Sequence, residues 1–200
     1  MALPKAVSEN ALWKNIFSER VVREGSIEEV LSKVPAFAHL SPRELKEVAA
    51  IIHRREYRSG EPVFYQGDPG LGMYIIQDGS VSIQITGKEG EAREFAVLSD
   101  GDFFGELALI DESPRSADAV CKTDCLLLGF FRPDLFELIE RKSQLGLKIV
   151  LKLAEIVAQR LRTTDKELTK IKSQLERLQR QEEERSHASE ENEPTTARPA

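Results

Sequence analysis

The chain has little of what several protein classes require. Its only cysteines are Cys121 and Cys125, too few for a disulfide framework. No apolar signal-peptide core follows Met1, so a reducing cytosol is the expected compartment. No apolar run approaches the ~18 residues needed to cross a bilayer. The three histidines, His39, His53 and His187, are scattered, which argues against a metal site and leaves the two cysteines as buried free thiols. A net charge of −6 disfavours non-specific binding to nucleic acid phosphates. An apolar share of 40% across 200 residues, with charge concentrated after Arg160, fits one core-forming domain followed by an appendage.

The elements change character along the chain. Leu12, Trp13, Ile16 and Phe17 recur at helical spacing over Glu9 to Arg20, with Ser8 as a cap. Ser26 and Glu29 form a possible capping box for a short helix ending before Pro35. Ser41-Pro42-Arg43-Glu44 is a stronger start, with Leu45, Val48, Ala49 and Ile52 on one face. From Arg54 the period becomes two. Strand-like runs at Val63–Tyr65, Met73–Ile76, Val81–Thr86 and Glu94–Leu98 are separated by glycine-containing turns, and Asp78-Gly79 reads as a two-residue hairpin. Strands resume over Ser116 to Phe131. Pro133 suits the first position of a helix running to about Glu140. This pattern predicts an α+β protein: an antiparallel β-roll over residues 54–131, a helical segment 1–53 before it and helices 132–182 after it.

Within the strands lies a segment with chemistry. Phe103 to Val120 opens after Asp100-Gly101-Asp102, passes through a short apolar turn, Leu107 to Ile110, and then a polar loop with Pro114 and Arg115. Gly105 permits close approach of a ligand to the backbone. The N–H groups of Leu107 and Ala108 lie at the start of the turn, where negative charge is favoured. Arg115 supplies a planar, permanently charged fork suited to phosphate. Glu106 would be repelled by that anion and is better placed to accept from a sugar hydroxyl. Phosphate and ribose in one short cassette read as a nucleotide. The plainer alternatives are a surface arginine after a proline turn and a carboxylate that stabilises a helix start.

Phe104-Gly105-Glu106, Ala108-Leu109 and Arg115-Ser116-Ala117 together resemble the phosphate-binding cassette of cyclic nucleotide-binding domains, of the catabolite-activator and protein kinase A regulatory-subunit type. Gly67-Asp68, Gly70, Met73-Tyr74-Ile75-Ile76 and Gly79 fit a second signature of that family. The resemblance spans roughly Val34 to Ile156. It implies a cassette at 103–117 that binds cAMP or cGMP through Phe104, Gly105, Glu106, Leu107, Ala108, Arg115, Ser116 and Ala117, with no catalytic residue, cofactor or metal. In the family a threonine after the cassette arginine accompanies cGMP and an alanine cAMP. Relatives with serine there commonly use cAMP, so Ser116 leans to cAMP. Leu109, Ile83 and Ile85 are expected in the core.

The last helix is the second feature. From Ser143 there is no proline and, after Gly146, no glycine before the tail. Leu147, Val150, Ala154, Val157, Leu161, Thr164, Leu168, Ile171, Leu175 and Leu178 recur at alternating spacings of three and four, predicting a coiled coil over 147–178. A helix from Ser143 to Arg180 would be ~57 Å long at ~1.5 Å per residue. In a parallel pair Arg160 would meet Asp165 and Glu167 would meet Lys172 of the twin, so a parallel homodimer is expected. Ile149, Leu153 and Ile156 make a second apolar edge. In the family this helix often caps the base, so they are lid candidates, with plain packing as the alternative. The tail, residues 183–200, is acidic and polar without apolar periodicity and is expected to be disordered. The function these features imply is a non-catalytic cytoplasmic sensor that relays nucleotide binding to its twin or to a downstream protein. The alternative is a dimeric coiled-coil scaffold that binds no nucleotide.

Overall fold

A computed structural model describes residues 25–87 and 91–190, with side chains as far as Arg180. The expected helix over Glu9 to Arg20 lies outside the described residues. Both capping signals produce helices. In α1, Ile27–Lys33, the Ser26 hydroxyl accepts from the Glu29 N–H, and the Glu29 carboxylate accepts from the Ser26 N–H. In α2, Pro42–Ala49, Ser41 and Glu44 make the same reciprocal pair. Each box satisfies two N–H groups that a helix start leaves unpaired.

Eight strands follow: β1 (His53–Tyr57), β2 (Pro62–Phe64), β3 (Gly72–Asp78), β4 (Ser80–Thr86), β5 (Ala92–Ser99), β6 (Phe103–Phe104), β7 (Asp118–Cys121) and β8 (Cys125–Phe131). They form two four-stranded antiparallel sheets, ordered β1-β8-β3-β6 and β2-β7-β4-β5. The short helix α3, Leu107–Ile110, interrupts the strands between β6 and β7.

In the first sheet β3, β6 and β8 are covered on both faces, which explains their apolar runs, whereas the edge strand β1 is charged and mostly exposed. Met73, Ile75, Phe103, Leu128 and Phe130 point to one side and pack with Val30, Leu31 and Phe37 of the N-terminal segment. Ile76, Phe104 and Leu127 point to the other and meet Val81, Ile83 and Leu98 of the second sheet. Ile83 is buried as expected, whereas Ile85 is 39% exposed, in the last two residues of β4, which are both exposed. Cys121 and Cys125 are buried free thiols on separate strands. Burial pushes the Cys121 thiol up to about 12.

The Asp78-Gly79 turn is not a hairpin. β3 and β4 lie in different sheets, and the turn carries the chain from one to the other. Gly79 has φ +104 and its N–H donates to Asp100 Oδ1 at 2.8 Å. β3 pairs instead with β8, where Tyr74 faces Gly129 and Ile75 faces Leu128. A turn signal reads four residues, whereas strand partners are chosen by the whole core.

Helix α4, Arg132–Arg141, starts one residue before Pro133, with Phe131 as a cap that makes no side-chain bond. Helix α5 runs from Ser143 to Glu190, past the end expected at 182. The tail reading is corrected over 183–190, because the Gln-Glu-Glu-Glu-Arg run favours a helix and the next proline is Pro194. Extending an existing helix needs no buried face. The chain divides into two units, one through Ala158 and one from Gln159. Among the described residues the second unit is the distal part of α5. No described helix is long and apolar enough to cross a membrane, and no described cluster of His, Cys, Asp and Glu is arranged to hold a metal ion.

Candidate functional site

A cavity of about 240 Å³ opens against the cassette. All eight expected binding residues line it: Phe104, Gly105, Glu106, Leu107, Ala108, Arg115, Ser116 and Ala117. The segment bends sharply because Gly105 sits at φ +75. β6 ends there and α3 begins, with the Ala108 N–H closing a turn on the Gly105 carbonyl at 3.2 Å. Ala108 and Leu109 face inward, while Leu107 is 45% exposed.

Arg115 is fixed from both ends. Its backbone N–H donates to the Asp68 carbonyl, and its own carbonyl accepts from the Gly67 N–H, both at 2.9 Å. This pair of bonds ties the cassette loop to the turn between β2 and β3. The side chain is only 8% exposed. Its Nη1 donates to the Gly105 carbonyl at 3.2 Å, and its guanidinium lies 4.0 Å above the centre of the Phe64 ring. The buried Nε has no acceptor among the described residues. Burial pushes the guanidinium pKa down from its ordinary value, and Tyr74, Asp68 and Glu106 push it back up. An arginine keeps its charge in such a setting, so the cavity wall carries a buried cation that an anion would satisfy.

Glu106 is 3% exposed and also lines the cavity. Ser116 is exposed at its rim. Placed together, these groups offer a fork for an anion, a carboxylate able to accept from a hydroxyl, and a hydroxyl able to donate.

Three contributors lie outside the motif. Phe64, from β2, forms the floor under Arg115 and lines the cavity. Tyr74, from β3, stacks on Phe104 with centroids 5.7 Å apart and 22° between planes. Asp68 holds the loop by its backbone and by accepting from the Tyr65 N–H at 2.8 Å. In the sequence Phe64 is only part of an apolar run. Asp68 and Tyr74 carry a signal there, through the Gly67-Asp68 and Met73-Tyr74-Ile75-Ile76 parts of the second signature.

The lid candidates sit elsewhere. Ile149 and Leu153 are fully buried among Val30, Phe37, Leu128 and Leu135, and Ile156 packs against the same cluster. None lines the cassette cavity. The apolar edge read at these positions is real, but tertiary packing directs it into the core between helices and first sheet.

Comparison with known proteins agrees with this geometry. The chain is 42% identical over 134 residues to the cyclic AMP receptor protein of Thermus thermophilus, a match covering 67% of this chain and 60% of that one. It is 33% identical over 123 residues to the cAMP-dependent protein kinase regulatory subunit of Aspergillus niger, covering 62% of this chain and 28% of the relative. The chain thus spans less than two thirds of the length of either relative. The solved cyclic nucleotide-binding domain from Methylobacillus flagellatus superposes with a TM-score of 0.63 at 25% identity, covering 72% of this chain and 82% of that one. Residues 54–142 match the cyclic nucleotide-binding domain, and with the cassette, the two-sheet roll and the buried Arg115 in place, this stretch of the chain is a cyclic nucleotide-binding domain.

Proposed function

We propose that this chain is a non-catalytic regulatory sensor of a cyclic nucleotide, with cAMP preferred over cGMP. The observation that carries the reading is Arg115, a buried guanidinium on the cavity wall whose Nε lacks an acceptor among the described residues. A cyclic phosphodiester carries one negative charge and would satisfy it, while Glu106 accepts from the ribose hydroxyl. Both relatives named above are cAMP proteins by name, and Ser116 takes the place of the threonine that accompanies cGMP in the family.

The signal leaves through the core rather than through a lid. Phe103 and Leu109, on the inner side of the cassette, share one apolar cluster with Ile149 and Leu153 of α5. Ligand binding that shifts α3 therefore repacks the face on which the start of α5 rests, because a close-packed interior transmits displacement. Further along α5, Leu161, Leu168, Ile171, Leu175 and Leu178 are each about half exposed or more. We assign this stripe to a parallel homodimer, with Arg160 facing Asp165 and Glu167 facing Lys172 of the twin, and with a downstream protein as the receiver. The two free thiols suit a cytosolic setting.

The test is calorimetric titration of nucleotide-stripped protein with cAMP and then cGMP, beside Arg115→Ala. Micromolar or tighter binding that the substitution removes supports the sensor, and the ratio of the two affinities names the ligand. A folded protein that binds neither nucleotide overturns it.

A further inference from the structure

Phe64 belongs to neither sequence signature, yet its ring lies directly beneath the cassette cation. The ring comes from β2 in the second sheet. Two other rings hold it in place: Phe104 at 5.8 Å and Tyr74 at 6.2 Å, which themselves stack on each other. Arg115 Cζ lies 4.0 Å from the Phe64 centroid.

This mode of anchoring has a chemical consequence. A guanidinium hydrogen-bonded to a carboxylate is well placed but has its donors occupied, so an incoming anion must displace the partner first. A guanidinium resting on an aromatic face is held by its flat side. Its N–H groups lie in the guanidinium plane, and a ring beneath that plane leaves them available. Here Nη1 bonds the Gly105 carbonyl at 3.2 Å, while the buried Nε has no acceptor among the described residues.

We propose that Phe64 is a positioning residue for nucleotide binding: its ring holds the Arg115 guanidinium at the cavity wall, so that the unpaired Nε donor meets the ligand phosphate without first leaving a carboxylate partner. The proposal rests on the sensor reading above. It makes the identity of a β2 residue a determinant of affinity, acting through the arginine.

The experiment is a substitution series titrated with cAMP by calorimetry, using the full chain and with folding of each variant checked by thermal melting. Phe64→Leu keeps apolar bulk and removes the π face, and affinity is expected to fall roughly 3- to 30-fold. Phe64→Tyr restores the face and is expected to bind within about twofold of the parent. In an Arg115→Lys background, whose flexible ammonium lacks the flat fork, the loss caused by Phe64→Leu is expected to shrink. An unchanged affinity in Phe64→Leu overturns the proposal. So does an equal fold-loss in both backgrounds, which would mean that Phe64 acts independently of the arginine. If the parent binds neither cAMP nor cGMP, the sensor reading itself fails, an outcome separate from either of these.

Discussion

The Gly105 carbonyl accepts a hydrogen bond from Arg115 Nη1 at 3.2 Å, and a Cβ built on Gly105 would lie 2.5 Å from that same nitrogen. Glycine is therefore required at this position for two reasons, the φ of +75 and the space beside the guanidinium. Gly105→Ala is expected to cost about 1–2 kcal/mol of stability from backbone strain. It is also expected to weaken cAMP binding roughly 10- to 100-fold by displacing a charge-assisted donor. Gly60→Ala is the control, since Gly60 has φ +82 with nothing within 4 Å of an added Cβ. It carries the backbone strain without the clash, so it lowers the melting temperature and leaves the affinity intact. Equal binding losses in the two variants would refute the assignment.

Glu44 joins the start of α2 to α5. Its Oε2 accepts from the Ser41 N–H at 2.8 Å, and its Oε1 accepts from Lys148 Nζ at 2.6 Å. The Lys148 bond first, and then those from Ser41, hold the Glu44 carboxyl down at about 2 against an ordinary 4.5. A carboxylate depressed in this way stabilises the fold fully above its ordinary pKa and loses that contribution as pH falls toward the folded value. Glu44→Gln is expected to be less stable than the parent by about 1 kcal/mol at neutral pH, a figure kept small because the ion pair is partly exposed. Thermal melts taken from neutral pH downward should show the gap between parent and variant closing between about 4.5 and about 2. A gap that stays constant with pH would separate Glu44 from this ion pair.

The parts of the site legible in the sequence are those whose geometry is local. Gly105, Glu106 and Arg115 lie within one short segment, and their spacing already specifies a cradle. Phe64 reaches the same cavity from β2, with Tyr74 of β3 packed against its ring, and only the closing of two sheets brings Phe64 under Arg115. The sole trace of Phe64 in the sequence is membership of an apolar run, which any buried strand shares, and Tyr74 shows only as one of the four apolar residues of the second signature. Asp78-Gly79 misled for the same reason in reverse, because a strong local turn signal says nothing of which strand the next one joins. The double apolar edge of α5 was visible, but what Ile149 and Leu153 face is decided by α1, α4 and the first sheet.

Leu153 separates a core role from a lid role. It is fully buried with Ile149 in the cluster between helices and first sheet. Leu153→Ala is expected to destabilise the fold by about 2–5 kcal/mol through the cavity it leaves. Chemical denaturation followed by circular dichroism measures this directly. A variant of parental stability whose cAMP affinity drops tenfold or more would restore the lid assignment.

The distal half of α5 puts the homodimer to a direct test. Leu168, Ile171, Leu175 and Leu178 are 49%, 51%, 54% and 55% exposed in the single chain. A stripe of this kind gains stability only when a second surface covers it, and opposite charges flanking it fit a copy of itself in parallel. Leu175→Asp places a charge in the middle of that seam, and burying it unpaired would cost several kcal/mol. The substituted chain is expected to sediment as a monomer at concentrations where the parent is a dimer, and to lose helical signal as its distal α5 loses its support. The cassette lies in the other unit of the chain, so cAMP binding per chain is expected to survive. A parent that sediments as a monomer at high concentration would eliminate the homodimer and leave the stripe to a different partner protein.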